Sequence, residues 1–108
     1  MLSMLKKKLE NDAIERDWNW TRELTRRFKI SSTLIIPDGC KRIGVSAFYG
    51  CWRLREVVIP KSVEWIDYDA FWECDNAVII LKKHKKDFKY IGSCAFDYCR
   101  YVKEETRN

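Results

Sequence analysis

Residues 66–74 read Ile-Asp-Tyr-Asp-Ala-Phe-Trp-Glu-Cys, and the same pattern occurs twice more in the chain. It appears earlier as I-G-V-S-A-F-Y-G-C at residues 43–51 and later as I-G-S-C-A-F-D-Y-C at residues 91–99. The shared form is I-[GD]-x-x-A-F-x-x-C, in which phenylalanine recurs after 23 and then 25 residues. Four fixed residues in nine positions, repeated three times, indicate a repeat architecture whose units bury their apolar sides against one another.

A short apolar segment of strand length precedes each copy of the pattern, at residues 34–36, 54–59 and 78–81. Pro37 and Pro60 follow the first two segments and are expected to end strand pairing, because proline has no N–H to donate. Gly44, Gly92 and the equivalent Asp67 are predicted to take a positive φ, which these residue types tolerate best. The alanine, phenylalanine and cysteine of each copy are expected to point into a shared interior.

These residues resemble the BspA-like (Treponema-type) leucine-rich repeat, whose unit has the form L-x-x-V-x-I-P-x-x-V-x-x-I-G-x-x-A-F-x-x-C. Residues 54–74 match it almost throughout, and the third unit departs from it by lacking the proline and carrying an insertion at residues 82–90. The resemblance implies an α/β fold, a short right-handed leucine-rich-repeat solenoid of about three coils. It also implies that the chain binds other macromolecules and has no catalytic residues. The three units are expected at residues 33–53, 54–76 and 77–100.

The two ends of the chain do not follow the repeat. Residues 1–32 are predicted to form an N-terminal helical cap, because apolar side chains recur at helical spacing at Leu2, Leu5 and Leu9 and again at Trp20, Leu24 and Phe28. Residues 101–108 are predicted to be a polar tail, too short to cover the last coil. An uncapped coil of this kind would offer an edge for a homo-oligomer or a partner.

Length and composition limit the remaining possibilities. The chain has 108 residues and a net charge of +5, which fits one small, mildly basic domain. No apolar run approaches the roughly 20 residues that a membrane-spanning helix needs. Residues 1–10 alternate apolar side chains with lysines rather than forming a signal peptide. We therefore expect a cytoplasmic protein that does not associate with membranes.

The side chains that could support catalysis are sparse, so we expect no enzyme and no cofactor. His84 is the only histidine, and it lies among four lysines at residues 82–86, where it would be solvated and unpositioned. The acidic group Asp67, Asp69 and Glu73 falls on positions that vary between the repeats and indicates a solvated face. No glycine-rich phosphate loop or metalloprotease motif is present.

Three of the five cysteines, Cys51, Cys74 and Cys99, occupy one repeat position. They should form a ladder with the spacing of adjacent strands, about 5 Å. That spacing would permit a disulfide or a soft metal bridge, but packing of reduced thiols also explains it. We favour reduced thiols and expect no metal, because a structural zinc site would want four ligands.

Aromatic side chains exceed what the repeat needs for its core. The first candidate contact line is the column Arg42, Trp65 and Tyr90, and the second is the group Tyr49, Trp72 and Tyr68. Trp, Tyr and Arg dominate the energetics of protein interfaces, so these residues predict an interaction module, an adaptor or an inhibitor, for a protein partner. The alternative is that large rings cover the thin flanks of a short solenoid.

The insertion in the third unit is basic and is predicted to protrude as a loop carrying Lys82, Lys83, Lys85 and Lys86. The loop could serve solubility alone, contact an acidic patch on a protein, or bind nucleic acid through phosphate contacts. A nucleic-acid-binding protein is therefore one alternative function. A self-assembling structural repeat is another.

Overall fold

The computed structural model describes residues 18–27 and 32–106, in which short parallel strands alternate with turns. The elements are β1 (Trp18–Trp20), α1 (Arg22–Arg27), β2 (Thr33–Ile35), β3 (Cys40–Ile43), β4 (Glu56–Ile59), β5 (Trp65–Ile66), β6 (Val78–Leu81), a 3₁₀ turn (Lys85–Asp87), β7 (Tyr90–Ile91) and β8 (Tyr101–Glu104). No helix in the described ranges has the length and apolarity that a membrane crossing requires.

The strands form two four-stranded parallel sheets. The first has the order β1-β3-β5-β7 and the second has the order β2-β4-β6-β8. Each coil contributes one strand to each sheet, and equivalent residues of successive coils pair directly, as Val57 does with Ile79. The order is that of a repeat solenoid, so the repeat architecture predicted from the sequence is confirmed.

The interior is a stack of equivalent apolar side chains. Phe48 and Phe71 lie with their ring centroids 4.9 Å apart and nearly parallel planes, and Phe71 and Phe96 follow at 5.9 Å. Ala47 and Ala70, the small residues beside the rings, are fully buried. Inward-facing columns of the sheets close the core. In the second sheet one column runs through Leu34, Val57, Ile79 and Val102, and another pairs Ile59 with Leu81. The predicted row of phenylalanines is therefore present.

The N-terminal cap differs from the prediction within the described residues. Trp20 was expected on a helical stripe but lies in strand β1, paired with Ile43 at the edge of the first sheet. Helix α1 has six residues, none of them fully buried. Trp20 itself covers the end of the core, since its ring packs 5.3 Å from that of Phe48. The i, i+4 spacing favours a helix, but strand pairing determines the structure here. As a strand, this segment pairs with the backbone at the edge of β3 and buries the Trp20 indole. Leu2, Leu5, Leu9 and Phe28 lie outside the described residues.

The C-terminal segment also differs from the expected polar tail. Tyr101–Glu104 forms β8, the fourth strand of the second sheet, with Val102 opposite Ile79. Val102 packs partly buried against the core, and the Glu105 N–H donates to the Leu81 carbonyl at 2.7 Å. A polar segment pairs here because its alternate residues face solvent, while Val102 alone supplies the inward contact.

The glycine prediction is wrong in its reason. Neither Gly44 nor Gly92 has a positive φ. The left-handed residues of each turn come later. Two residues later they are Ser46, Asp69 and Cys94, and six residues later they are Gly50, Glu73 and Tyr98. Gly92 is required because the backbone of the preceding coil passes against it. A Cβ on Gly92 would lie 2.5 Å from the Tyr68 nitrogen.

Candidate interaction surface

The first candidate contact line forms one column across the first sheet. Arg42 of β3 pairs with Trp65 of β5, which pairs with Tyr90 of β7. Asn19 of β1 extends the column by one more residue. Because neighbouring strands lie about 4.8 Å apart, the side chains stand side by side and face outward together. Tyr90 is 48% exposed, so the column presents an accessible aromatic surface.

Two cations hold the central ring of this column. The Arg42 guanidinium lies 5.2 Å from the centroid of a Trp65 ring, and the Lys89 ammonium lies 5.1 Å from it. These cations come from the coils on either side of Trp65. Lys89 is itself paired with Glu64 at 3.2 Å, and Arg42 lies 3.8 Å from Asp67. Lys89 did not enter the predicted site, because an insertion shifts it out of the repeat spacing.

A second aromatic row lies along the turns. The rings of Tyr49 and Trp72 meet edge to face at 5.1 Å, and the Tyr98 ring follows 6.4 Å from Trp72. The Arg22 guanidinium begins the row, 5.8 Å from the Tyr49 centroid. Tyr98 was not among the predicted contacts, because by spacing it falls one residue beyond this column. Its φ of 64° matches that of Gly50 and Glu73, which hold the equivalent position in the earlier turns.

The structure separates Tyr68 from this row. Tyr68 occupies the turn position equivalent to Val45 and Ser93, and it is half exposed. It is therefore a neighbouring aromatic residue of the same coil rather than a member of the Tyr49–Trp72 row.

The basic loop is partly neutralised by acids of the next strand and its neighbours. Lys82 pairs with Glu105 at 2.7 Å. His84 lies 3.0 Å from Glu104, which also accepts the Lys85 N–H at 2.7 Å. These contacts hold the pKa of the Glu104 carboxyl below its usual range, with the Lys85 N–H as the main cause.

The remaining lysines of the loop differ in their surroundings. The Lys83 ammonium lies 4.6 Å from the Phe88 ring centroid and donates to the Lys61 carbonyl at 3.0 Å. Desolvation by these neighbours lowers the pKa of Lys83. Lys85 and Lys86 are exposed. The loop is thus anchored at Lys82 and Lys83, and it presents Lys85 and Lys86 to solvent.

The five cysteines are free thiols, and two of them hydrogen-bond across the wall of the solenoid. The Cys74 thiol donates to the Phe48 carbonyl at 3.0 Å, and the Cys99 thiol donates to the Phe71 carbonyl at 3.1 Å. Each thiol therefore links its coil to the preceding one. Among the described residues, no group of three His, Cys, Asp or Glu side chains is arranged to hold a metal ion.

We expect the thiols to react in order of their exposure, with the most exposed thiol first. Burial raises the pKa of Cys40 to about 12, and the pKa of buried Cys74 is raised by its contact with Cys99 and by desolvation. Cys94 is exposed, although its hydrogen bond with Asp97 raises its pKa as well. The contact with Cys74 lowers the pKa of Cys99, but Cys99 is half-buried. Because a thiol must be accessible to react, we expect exposed Cys94 to react with Ellman's reagent first at pH 8, and Cys40 and Cys74 only on unfolding.

Peptide mapping of alkylated protein checks this order. Cys94→Ser should remove the fastest phase and leave the half-buried thiols unchanged. Rapid labelling of Cys40 or Cys74 in the folded protein would contradict the described packing.

Comparison with known proteins gives one result that bears on this surface. The family model described as "BspA type leucine rich repeat region (6 copies)" matches residues 27–106. Neither the search of curated proteins nor that of solved structures returns a match. Proteins with leucine-rich repeats generally act as non-enzymatic modules that bind other proteins. With its repeated turns, its two parallel sheets and this match over most of its length, the chain belongs to the BspA-type leucine-rich repeat family.

Proposed function

We propose that the chain is a protein-interaction module, an adaptor or an inhibitor, which contacts its partner through the column Arg42, Trp65 and Tyr90. The observation that carries the proposal is the direct strand pairing of these three residues on one sheet. Family membership supports the proposal that the chain binds a protein. The column supports the proposed position of the contact surface on the solenoid.

Preorganisation favours this column over other exposed aromatics. The side chains stand on paired strands, and Trp65 is held between the cations of Arg42 and Lys89. Binding therefore immobilises few side chains that are not already ordered, a cost of about 0.5–1.5 kcal/mol for each flexible one. In the row of Tyr49 and Trp72, part of each ring's surface is in contact with the other ring, so less of it is open to a partner. That row is the second choice for the contact.

The basic loop is less well suited to binding nucleic acid. Phosphate binding depends on lysines that are free to replace condensed counterions. Here Lys82 and Lys89 are already paired with Glu105 and Glu64. The acids beside the loop would also repel a phosphate backbone. A contact of Lys85 and Lys86 with acidic side chains at the rim of a protein interface fits the loop better.

Truncation of the central ring should weaken partner binding strongly. Trp65→Ala removes the side chain that both cations contact, so we expect a loss of about 2 kcal/mol, or roughly thirtyfold in affinity, the range of an interface hot spot. Tyr90→Ala should act in the same direction. The measurement is affinity purification from the native cell with quantitative mass spectrometry, followed by titration of the partner that the wild type retains.

Trp52→Ala is the control, because Trp52 is an exposed tryptophan that belongs to neither row, whereas Trp65 is half-buried. It should leave the retained proteins unchanged. If Trp65→Ala and Tyr90→Ala retain the partner with wild-type affinity while remaining folded, the column is not the contact surface. A weakening by Trp72→Ala alone would transfer the site to the second row.

A further inference from the structure

A pair of aromatic rings lies on the side of the solenoid, where the turns of the second and third coils meet. The rings are those of Trp72 and Tyr98, whose centroids are 6.4 Å apart. Tyr98 is 70% exposed, and Trp72 is half-buried. Trp72 belongs to an internal coil, because the Tyr49 ring of the preceding turn lies on its other side at 5.1 Å. The pair is therefore part of the side wall of the solenoid.

Two acidic residues alternate with these rings along the two turns. Asp97 stands at the repeat position of Trp72, and Tyr98 stands at that of Glu73. The Glu73 N–H donates to the Asp97 carbonyl at 3.0 Å, which joins the two coils at this point. Each coil thus contributes one ring and one carboxylate from consecutive residues, in opposite order. We call these four residues the turn-face group.

The two carboxylates carry charge that the described structure does not neutralise. Neither Glu73 nor Asp97 is in an ion pair within residues 18–27 and 32–106. Asp97 accepts a hydrogen bond from the Cys94 thiol, which is neutral and leaves the charge in place. Acids on the other faces are paired with cations, namely Glu64, Asp67, Glu104 and Glu105. The turn-face group is therefore negative, although the chain has a net charge of +5.

The chain itself shows how a basic side chain lies on this row of rings. At the first turn, the Arg22 guanidinium lies 5.8 Å from the Tyr49 centroid and donates to the Ser46 carbonyl at 2.8 Å. Arginine suits such a place because its planar guanidinium stacks on a ring while its N–H groups donate to acceptors beside it. Within the described part of the chain, no cation lies on either ring of the turn-face group.

We propose that the turn-face group binds an arginine side chain of a partner protein. The guanidinium would stack on the Tyr98 ring beside Trp72 and donate its N–H groups to the two carboxylates. Charge selects this occupant, because the carboxylates attract a basic segment and repel an acidic one. Arginine is favoured over lysine, whose ammonium is more strongly hydrated and has no planar face. The proposal does not depend on the column at Trp65, so either can fail alone.

The probe is the peptide Gly-Arg-Gly-Arg-Gly, acetylated and amidated, titrated into the whole chain and followed by NMR at the Trp72 and Tyr98 resonances. A second peptide carries citrulline in place of arginine, which keeps the shape of the side chain and removes its charge. A third carries lysine, which keeps the charge and removes the planar group. The arginine peptide should shift both resonances to saturation, the lysine peptide should bind more weakly, and the citrulline peptide should give no saturable shift.

Two changes in the protein test the rings and the carboxylates separately. Tyr98→Ala removes the exposed ring and should weaken binding of the arginine peptide about threefold to fivefold, the range of an exposed cation–π contact. Tyr98→Phe keeps a ring and should bind like the wild type. The double variant Glu73→Gln with Asp97→Asn should weaken binding by a similar factor. It should also remove the loss of affinity with rising salt that screening of exposed charges causes in the wild type.

Matched controls separate these effects from general changes of the surface. Tyr101→Ala removes another exposed tyrosine, which lies on strand β8. Glu56→Gln removes an exposed acid of strand β4. Both variants should bind the arginine peptide like the wild type. Trp65→Ala should also leave this binding unchanged, which distinguishes the turn-face group from the column.

Three results would overturn the proposal. The first is binding of the citrulline or lysine peptide as tight as that of the arginine peptide. The second is wild-type affinity in Tyr98→Ala or in the double variant. The third is a nuclear Overhauser contact of the Tyr98 ring, in the free protein, with residues 1–17 or with a second copy, since the turn-face group would then already be covered.

Discussion

Phe71→Ala should destabilise the protein by about 3–5 kcal/mol, the range for removing a fully buried aromatic ring. Phe71 is 0% exposed and is the middle ring of the phenylalanine row, in contact with Phe48 on one side and Phe96 on the other. The substitution removes its own buried area and leaves both neighbours facing a cavity. Because small domains have only about 5–15 kcal/mol of stability, the variant should be close to unfolding at room temperature.

Urea denaturation followed by circular dichroism measures the effect, and Phe96→Ala is its matched comparison. Phe96 has the same residue type and repeat position but is only partly buried, so its loss should cost clearly less. Phe71→Leu keeps most of the volume and should cost less than about 2 kcal/mol, which keeps the comparison measurable if the alanine variant does not fold. Equal losses for Phe71→Ala and Phe96→Ala would mean that the Phe96 ring is as fully buried in solution as the Phe71 ring.

The repeat was readable from the sequence because its framework positions have strict side-chain requirements. Only a ring of one size fills the interior at Phe48, Phe71 and Phe96, and only a small residue fits beside it, so the residue types recur. The column of Arg42, Trp65 and Tyr90 followed from the same spacing, since equal repeat positions become paired strands. The residue types that recur in the sequence are therefore those whose size and shape the core requires.

The first strand could not be recognised in this way, because its side chain differs from the framework. Trp20 stands 23 residues before Ile43, in the isoleucine column, but its larger ring caps the stack instead of continuing it. Local spacing relates Trp20 to Leu24 and therefore predicts a helix. The contact that decides the outcome is with Phe48, which is distant in sequence. Extending the 23-residue offset in both directions would have located β1 and also β8.

The left-handed positions of the turns left no residue signature. Ser46, Asp69 and Cys94 share a positive φ although they share no side-chain chemistry, so comparison of the three units could not reveal it. The conformation belongs to the repeated turn, in which the N–H groups of Ser46 and Asp69 donate to carbonyls of the following coil. Tyr98 joins the second aromatic row from the repeat position that Gly50 and Glu73 hold in the earlier turns, where neither residue carries a ring.

Gly92→Ala should destabilise the protein by about 3 kcal/mol, at the upper end of the range for overpacking. The added Cβ would lie 2.5 Å from the nitrogen and 2.8 Å from the Cα of Tyr68, and 2.9 Å from the carbonyl carbon of Asp67. All three are backbone atoms of the preceding coil, so no side-chain rotation relieves the clash. The two coils must separate, which lengthens the bond from the Gly92 N–H to the Ile66 carbonyl, now 2.8 Å.

Gly50→Ala separates this explanation from one based on backbone conformation. Gly50 has a φ of 68°, but a Cβ there would meet no atom within 4 Å. An alanine in the left-handed region costs roughly 1–2 kcal/mol, part of which is offset by the lower entropy of the unfolded chain. Gly50→Ala should therefore cost less than Gly92→Ala in urea denaturation, and only Gly92→Ala should accelerate amide exchange at residue 92. If the two losses were equal, or their order reversed, Gly92 would not be required by the close approach of the coils. The strict spacing of the solenoid at this position would then have to come from the sheets alone.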